Sequence, residues 1–156
     1  MSAETVRAWL AEHAPDLELI EAHDTTATVA DAARTLGVEP GQIAKSLAVR
    51  AGHQLFLLVT RGNARLDNRK CKDAFGSRPR MLGSEETLEV TGHPVGGVCP
   101  FGLPVYLDVS LQAFDTVYPA GGSLNTSVKV PTGRLFNLVG KRWVDLCILP
   151  EEAAGT

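Results

Sequence analysis

The sequence is poor in the features that most often announce a function. It has no GxSxG elbow, no phosphate-binding P-loop and no HExxH pair, which removes three common hydrolase and nucleotide-binding signatures. Its three cysteines, Cys71, Cys99 and Cys147, are an odd number without CxxC spacing. Neither a disulfide framework nor a cysteine-built zinc cage is expected, and the default setting is a reducing cytoplasm. No apolar run reaches the roughly 18 residues of a membrane span. The acidic start lacks the basic-then-apolar layout of a secretion signal, so Asn125-Thr126-Ser127 reads as a chance glycosylation pattern. Internal repeats, low-complexity tracts and linkers are also missing.

What is present describes a globular chain. The 156 residues are 44% hydrophobic and 21% charged, enough for one well-filled core. One domain over residues 1–150, with a frayed tail at 151–156, is expected. The net charge of −3 conceals an asymmetry. Residues 1–40 carry a balance of −6, whereas residues 61–80 carry +5 through Arg61, Arg65, Arg69, Lys70, Lys72, Arg78 and Arg80. Such a strip can hold a polyanion, although a solvated helix face explains it as well. Phe75 is its only ring, so phosphate contacts would outweigh base stacking.

The pattern along the chain mixes periods. Val6, Trp9, Leu10 and His13 recur at helical spacing, and Leu17–Ala22 alternates as a short strand. Thr28 precedes a helix over Val29–Leu36 that Gly37 closes. Ile43–Val49 and Leu55–Thr60 are β-rich runs around a turn at Ala51–His53, and a cationic helix follows over Asp67–Phe75. Ser84 can cap a further helix. Residues 91–104 hold four glycines and three prolines, too many for a regular element. Strands at Val105–Asp108, Thr116–Tyr118, Leu124–Val130 and Trp143–Leu146 and a helix from Pro131 to Val139 complete the reading. Most strand links read as hairpins. The class expected is α+β: a single domain with a curved, mixed, largely antiparallel central sheet and flanking helices.

Three features can carry chemistry. Lys45 shares its strand face with Ile43, Leu47 and Val49. An inward lysine needs an anion, a carbonyl or a cavity, unless it reaches solvent at the strand end. Gly96-Gly97, inside the glycine-rich loop, lets backbone N–H groups approach a ligand or an oxyanion, or simply makes a tight turn. Gly121-Gly122 forms a second turn. Among scattered histidines, His93 has a pKa range suited to a general base. Cys99 could be a nucleophile, but its flanks Val98 and Pro100 are apolar and no histidine is locally placed to activate it.

Lys45 in IAKSL, the segment Thr91-Gly92-His93-Pro94-Val95-Gly96-Gly97-Val98-Cys99-Pro100-Phe101-Gly102 and Ala120-Gly121-Gly122 together resemble the YbaK/ProX family of prolyl-tRNA-synthetase-associated editing domains. The likeness spans about residues 3–148 and keeps the family's GxxxP element at Gly96 and Pro100. It departs at His93, where many members have an aromatic residue, and at Cys99, where many have serine. Both positions bear on the substrate side chain more than on the reaction. The resemblance implies a curved-sheet α/β fold and an aminoacyl-tRNA deacylase acting in trans. Its substrate would be tRNA, tRNA-Pro by implication, mischarged with a small amino acid such as alanine or cysteine. It implies catalysis by Lys45, Gly96 and Gly97, with help from a substrate hydroxyl or thiol. Substrate binding falls to His93, Val98, Cys99, Pro100, Gly121 and Gly122, and tRNA binding to Arg65, Arg69, Lys70 and Lys72. Mischarged tRNA is the implied partner and prolyl-tRNA synthetase a further one; no cofactor, metal, membrane or DNA is expected. Two alternatives remain open: a non-catalytic tRNA- or aminoacyl-adenosine-binding module, and a small-molecule hydrolase using Cys99 and His93.

Overall fold

In the computed structural model, which describes residues 3–77, 79–95, 97–101 and 105–149, the helical and strand periods fall largely where the sequence puts them. The first half contains α1 (Ala3–His13), β1 (Leu19–Glu21), α2 (Val29–Leu36), a 3-10 turn at Pro40–Gln42, β2 (Ile43–Ala51), β3 (Gln54–Arg61), β4 (Arg65–Leu66) and α3 (Asn68–Phe75). After it come β5 (Arg80–Met81), α4 (Ser84–Thr91), β6 (Val105–Asp108), a 3-10 turn at Val109–Ala113, β7 (Thr116–Pro119), β8 (Thr126–Val128), β9 (Val130–Pro131), α5 (Thr132–Val139), β10 (Gly140–Val144) and β11 (Cys147–Ile148). Polar caps fix several of the starts. The side chains of Thr28 and Asp67 accept from the backbone N–H of Asp31 and Lys70, opening α2 and α3. The α4 cap is Gly83 rather than Ser84, which is the first helical residue.

The central sheet runs β10-β6-β3-β2-β7-β9, with β5 on β2. It is mixed, as expected: β2–β3, β2–β5 and β7–β9 pair antiparallel, and β2–β7, β3–β6 and β6–β10 pair parallel. The expected predominance of hairpin links does not hold. β2 and β3 form a tight hairpin, but β3 reaches its neighbour β6 only after α3 and α4. Two strand boundaries also differ. Residues Ser123–Asn125 are taken by a turn in which the Ser123 hydroxyl contacts both Asn125 and Thr126, so the Leu124–Val130 run becomes β8 and β9. The last run starts early: Gly140 leaves α5 at φ −73° and ψ 133° and is already strand. The tail at 151–156 lies outside the described residues.

Side chains alternate across β2 and separate the core. Ala44 and Ala48 join the main cluster with Leu57, Val59, Val98, Cys99, Phe101, Val117 and Leu135. On the other face, Ile43 packs under α2 with Ala32 and Ala33. Farther along that face, Leu47 and Val49 pack with Leu58, Cys71 and Cys147 under α3. Lys45 therefore stands between the α2 and α3 clusters. On the outer edge of β2, β7 pairs Ile43 and Ala44 and β5 pairs Val49 and Arg50. Between them, Lys45–Leu47 have no strand partner on that side among the described residues.

Candidate functional site

A cavity of about 200 Å³ opens at this gap in the sheet edge. Lys45, Ser46 and Leu47 line it together with Thr26, Ala27 and Thr28 before α2, Val95 and Val98 of the glycine-rich loop, Ala120 after β7 and Ser127 of β8. The fold thus brings Lys45, the loop and the 120–122 turn to one place. Residue pattern alone does not single out Ser46, Ser127 or the Thr26–Thr28 segment, because hydroxyl residues are common in loops and at strand ends. The Ser46 hydroxyl is buried and has no hydrogen-bond partner among the described residues.

Lys45 meets the carbonyl that an inward lysine requires. Its ammonium donates to the Ala64 carbonyl at 2.7 Å. Burial holds its pKa below the ordinary lysine value, opposed by the nearby Cys147 thiol. Burial in turn pushes the Cys147 thiol up, and the Asp108 carboxylate adds to that push. Asp108 is itself 1% exposed, with its two oxygens accepting from the backbone N–H of Leu146 and Ser110.

Most of the other described motif residues lie outside the cavity lining. Gly97 packs so closely on the Ser123 backbone that an added Cβ would lie 3.1 Å from the Ser123 carbonyl. Its N–H donates to the Pro94 carbonyl at 2.9 Å, which corrects the expectation that this group is free for an oxyanion. Gly96 lies outside the described residues. Gly121 sits against Leu19 and Thr126, and Gly122 turns with φ of 100°. Val98 lines the cavity, whereas Cys99 and Pro100 are buried. The Cys99 thiol is 0% exposed, accepts from the Phe101 N–H at 3.3 Å and is pushed up to about 12 by burial. A thiol kept protonated and closed to solvent is a poor nucleophile.

His93 is also 0% exposed. Its ring nitrogens have no well-formed hydrogen bond among the described residues; burial lowers its pKa, and the nearby Gly122 backbone opposes that shift. It does not line the cavity, so as a general base it has no contact with the space where substrate would sit.

Of the cationic strip, Arg65, Arg69 and Lys72 are exposed. Lys70 instead donates to Asp145 at 3.1 Å and to the Cys147 carbonyl at 2.9 Å, so it fastens α3 to the chain around β11. Arg78 lies outside the described residues. A second, larger concavity of about 380 Å³ lies between Gln54–Leu57 of β3 and Val90–Thr91 of α4, and includes neither Lys45 nor the loop.

The sequence model of the aminoacyl-tRNA editing domain matches residues 23–138. The chain belongs to the aminoacyl-tRNA editing domain family. This editing domain is 44% identical over 153 residues to the uncharacterized protein YwhH of Bacillus subtilis, covering 94% of this chain and 98% of that one. It is 35% identical over 115 residues to the proline–tRNA ligase of Moorella thermoacetica, covering 70% of this chain but only 20% of the ligase. Among solved structures, one described as a candidate trans-editing enzyme for prolyl-tRNA synthetase superposes with a TM-score of 0.86 at 33% identity, covering 94% of this chain and 96% of that one. The editing-domain fold, with its curled mixed sheet and, among the described residues, five α-helices, is therefore this chain's fold.

Proposed function

We propose that this editing domain is a deacylase acting in trans on tRNA mischarged with a small amino acid. The observation that carries this reading is the convergence of Lys45, of Val95 and Val98 from the glycine-rich loop, and of Ala120 on one cavity of about 200 Å³. That space suits a small aminoacyl group and not an entire nucleoside, which would lie at the mouth. In the reaction, water adds to the ester carbonyl, the bond to the ribose oxygen breaks, and that oxygen leaves with a proton. The Lys45 ammonium supplies positive charge to the ester oxygens or to the terminal phosphate, in a site partly shielded from water. Apart from Lys45, read here as an ammonium, no side chain lining the cavity among the described residues is a base, which favours help from the neighbouring ribose hydroxyl or a substrate thiol.

The likeness to proline–tRNA ligases supports tRNA-Pro as the tRNA and the synthetase as a partner that releases it. Exposed Arg65, Arg69 and Lys72 supply phosphate contacts, and the work belongs in the cytoplasm, where tRNA is charged. Cys99 plays no nucleophilic part.

A panel of tRNA-Pro charged with alanine, serine, cysteine, 2-aminobutyrate or proline tests the reading. Release of one or more of the small amino acids, with the prolyl ester spared, is expected. Because one methylene of misfit is worth only about 1–3 kcal/mol, neighbouring sizes should be separated incompletely. Failure to cleave every ester, or cleavage of the prolyl ester as fast as the best small one, would overturn it. Cys99→Ser, run in parallel, should stay active.

A further inference from the structure

The carbonyl that receives Lys45 is held by an unusual amount of structure. Arg61, Gly62, Asn63 and Ala64 form a turn closed by the Ala64 N–H donating to the Arg61 carbonyl at 3.1 Å. Across that turn the Arg61 Nε–H donates to the Asn63 side-chain oxygen at 2.7 Å. The Arg61 guanidinium lies over the Phe114 ring, 5.2 Å from its centroid. Its backbone N–H reaches the Ser110 hydroxyl at 3.4 Å. Two glycines make room for this assembly. A Cβ on Gly41 would stand 2.7 Å from the Phe114 ring and 2.8 Å from Arg61 Nε, and one on Gly62 would meet the Pro40 and Ile43 carbonyls.

We infer that the Arg61–Asn63 clamp is a positioning device for the editing reaction, presenting the Ala64 carbonyl so that Lys45 is held beside the cavity as an ammonium. This rests on the reading of Lys45 as the site's cation. An amine withdrawn from water loses hydration that favours its charged form, and a fixed carbonyl replaces part of it. One N–H is then committed to Ala64, while the other two have no partner among the described residues and remain for substrate oxygens. The titratable groups around Lys45 are Cys147 on β11 and, beyond that thiol, Asp108 of β6 and Cys71 of α3. Asn63 and Arg61 do not line the cavity, so they act through the lysine.

The test removes the clamp without touching Lys45. In Asn63→Ala the turn loosens, and kcat on a mischarged tRNA should fall about tenfold with KM little changed, the scale of one hydrogen bond to a charged group. The Lys45 titration, followed by NMR of labelled lysine methylenes, should move to lower pH, and the alkaline fall in activity should move with it. Asn63→Asp offers Arg61 Nε the same acceptor and should return most of the activity and the titration. Asn63→Ser, too short to reach Nε, serves if the alanine variant folds poorly. An unmoved Lys45 titration in folded Asn63→Ala or Asn63→Ser overturns the inference, as does equal loss in the alanine and aspartate variants. If Lys45→Ala proves as active as wild type, the functional reading fails instead, while the lysine titration still judges the clamp.

Discussion

The concavity at Lys45 and the one between β3 and α4 differ in lining as well as in size. The larger, about 380 Å³, has an apolar floor of Leu55, Leu57 and Leu82, with Lys141 as its one cation. The smaller, about 200 Å³, carries Lys45, Ser46, Thr26, Thr28 and Ser127, and it sits where β2 lacks an outer neighbour. A half-buried ammonium and a buried hydroxyl without a partner among the described residues are costly to maintain, whereas leucines along a groove, one of them exposed, are ordinary. Volume measures what fits; the expensive polar groups show where an interaction has been prepared.

Lys45 separates the two concavities most sharply. Lys45→Ala should lower deacylation by about 100-fold or more, the scale of losing one preorganised electrostatic contact. A thermal melt should show stability held or slightly raised, since alanine removes a half-buried charge; wild-type turnover by this variant would remove the smaller cavity's claim. A lesser effect is expected from reversing Arg65, Arg69 and Lys72 to glutamate. Binding of tRNA should weaken and its salt dependence should flatten, because fewer counterions are released. Hydrolysis of an aminoacyl-adenosine should be unaffected, and binding unchanged across a salt titration would return the strip to a solvated helix face. The smallest effect belongs to the larger groove. Leu55→Gln, at a residue 44% exposed, should leave both turnover and melting close to wild type. A strong loss of deacylation there would mean that the two concavities serve one substrate.

The sequence carried much of this arrangement because local rules dominate where the elements begin and end. Thr28 and Asp67 cap helices because their side chains can accept the orphan N–H groups, and Gly37 closes α2 with φ of 68°. The face of Lys45 followed from strand alternation. Its partner did not, because Ala64 contributes a backbone carbonyl that any residue would have. The pairing of β6 with β3 and of β10 with β6 was equally hidden, since parallel neighbours are chosen by long crossovers rather than by turn residues. Cys99 and His93 looked chemical in a one-dimensional loop. Both are enclosed by the packing of that loop against the sheet and the 120–123 turn, which spacing alone does not show.

The position of β10 has a consequence for how the protein keeps to itself. A strand at the end of a sheet offers unpaired backbone groups to any passing chain, and long flat apolar edges seed aggregation. β10 is such a terminal strand, bonded to β6 on one side. It is five residues long, its register slips between Gly140 and Arg142, and Lys141 and Arg142 are exposed in succession along it. The Arg142 guanidinium lies 5.5 Å from the centre of the Tyr106 ring, so one charge is spread over the sheet face while its neighbour projects into solvent. An incoming strand would have to strip water from both cations and match an irregular ladder. The end of the sheet is thereby guarded by charge and misregister.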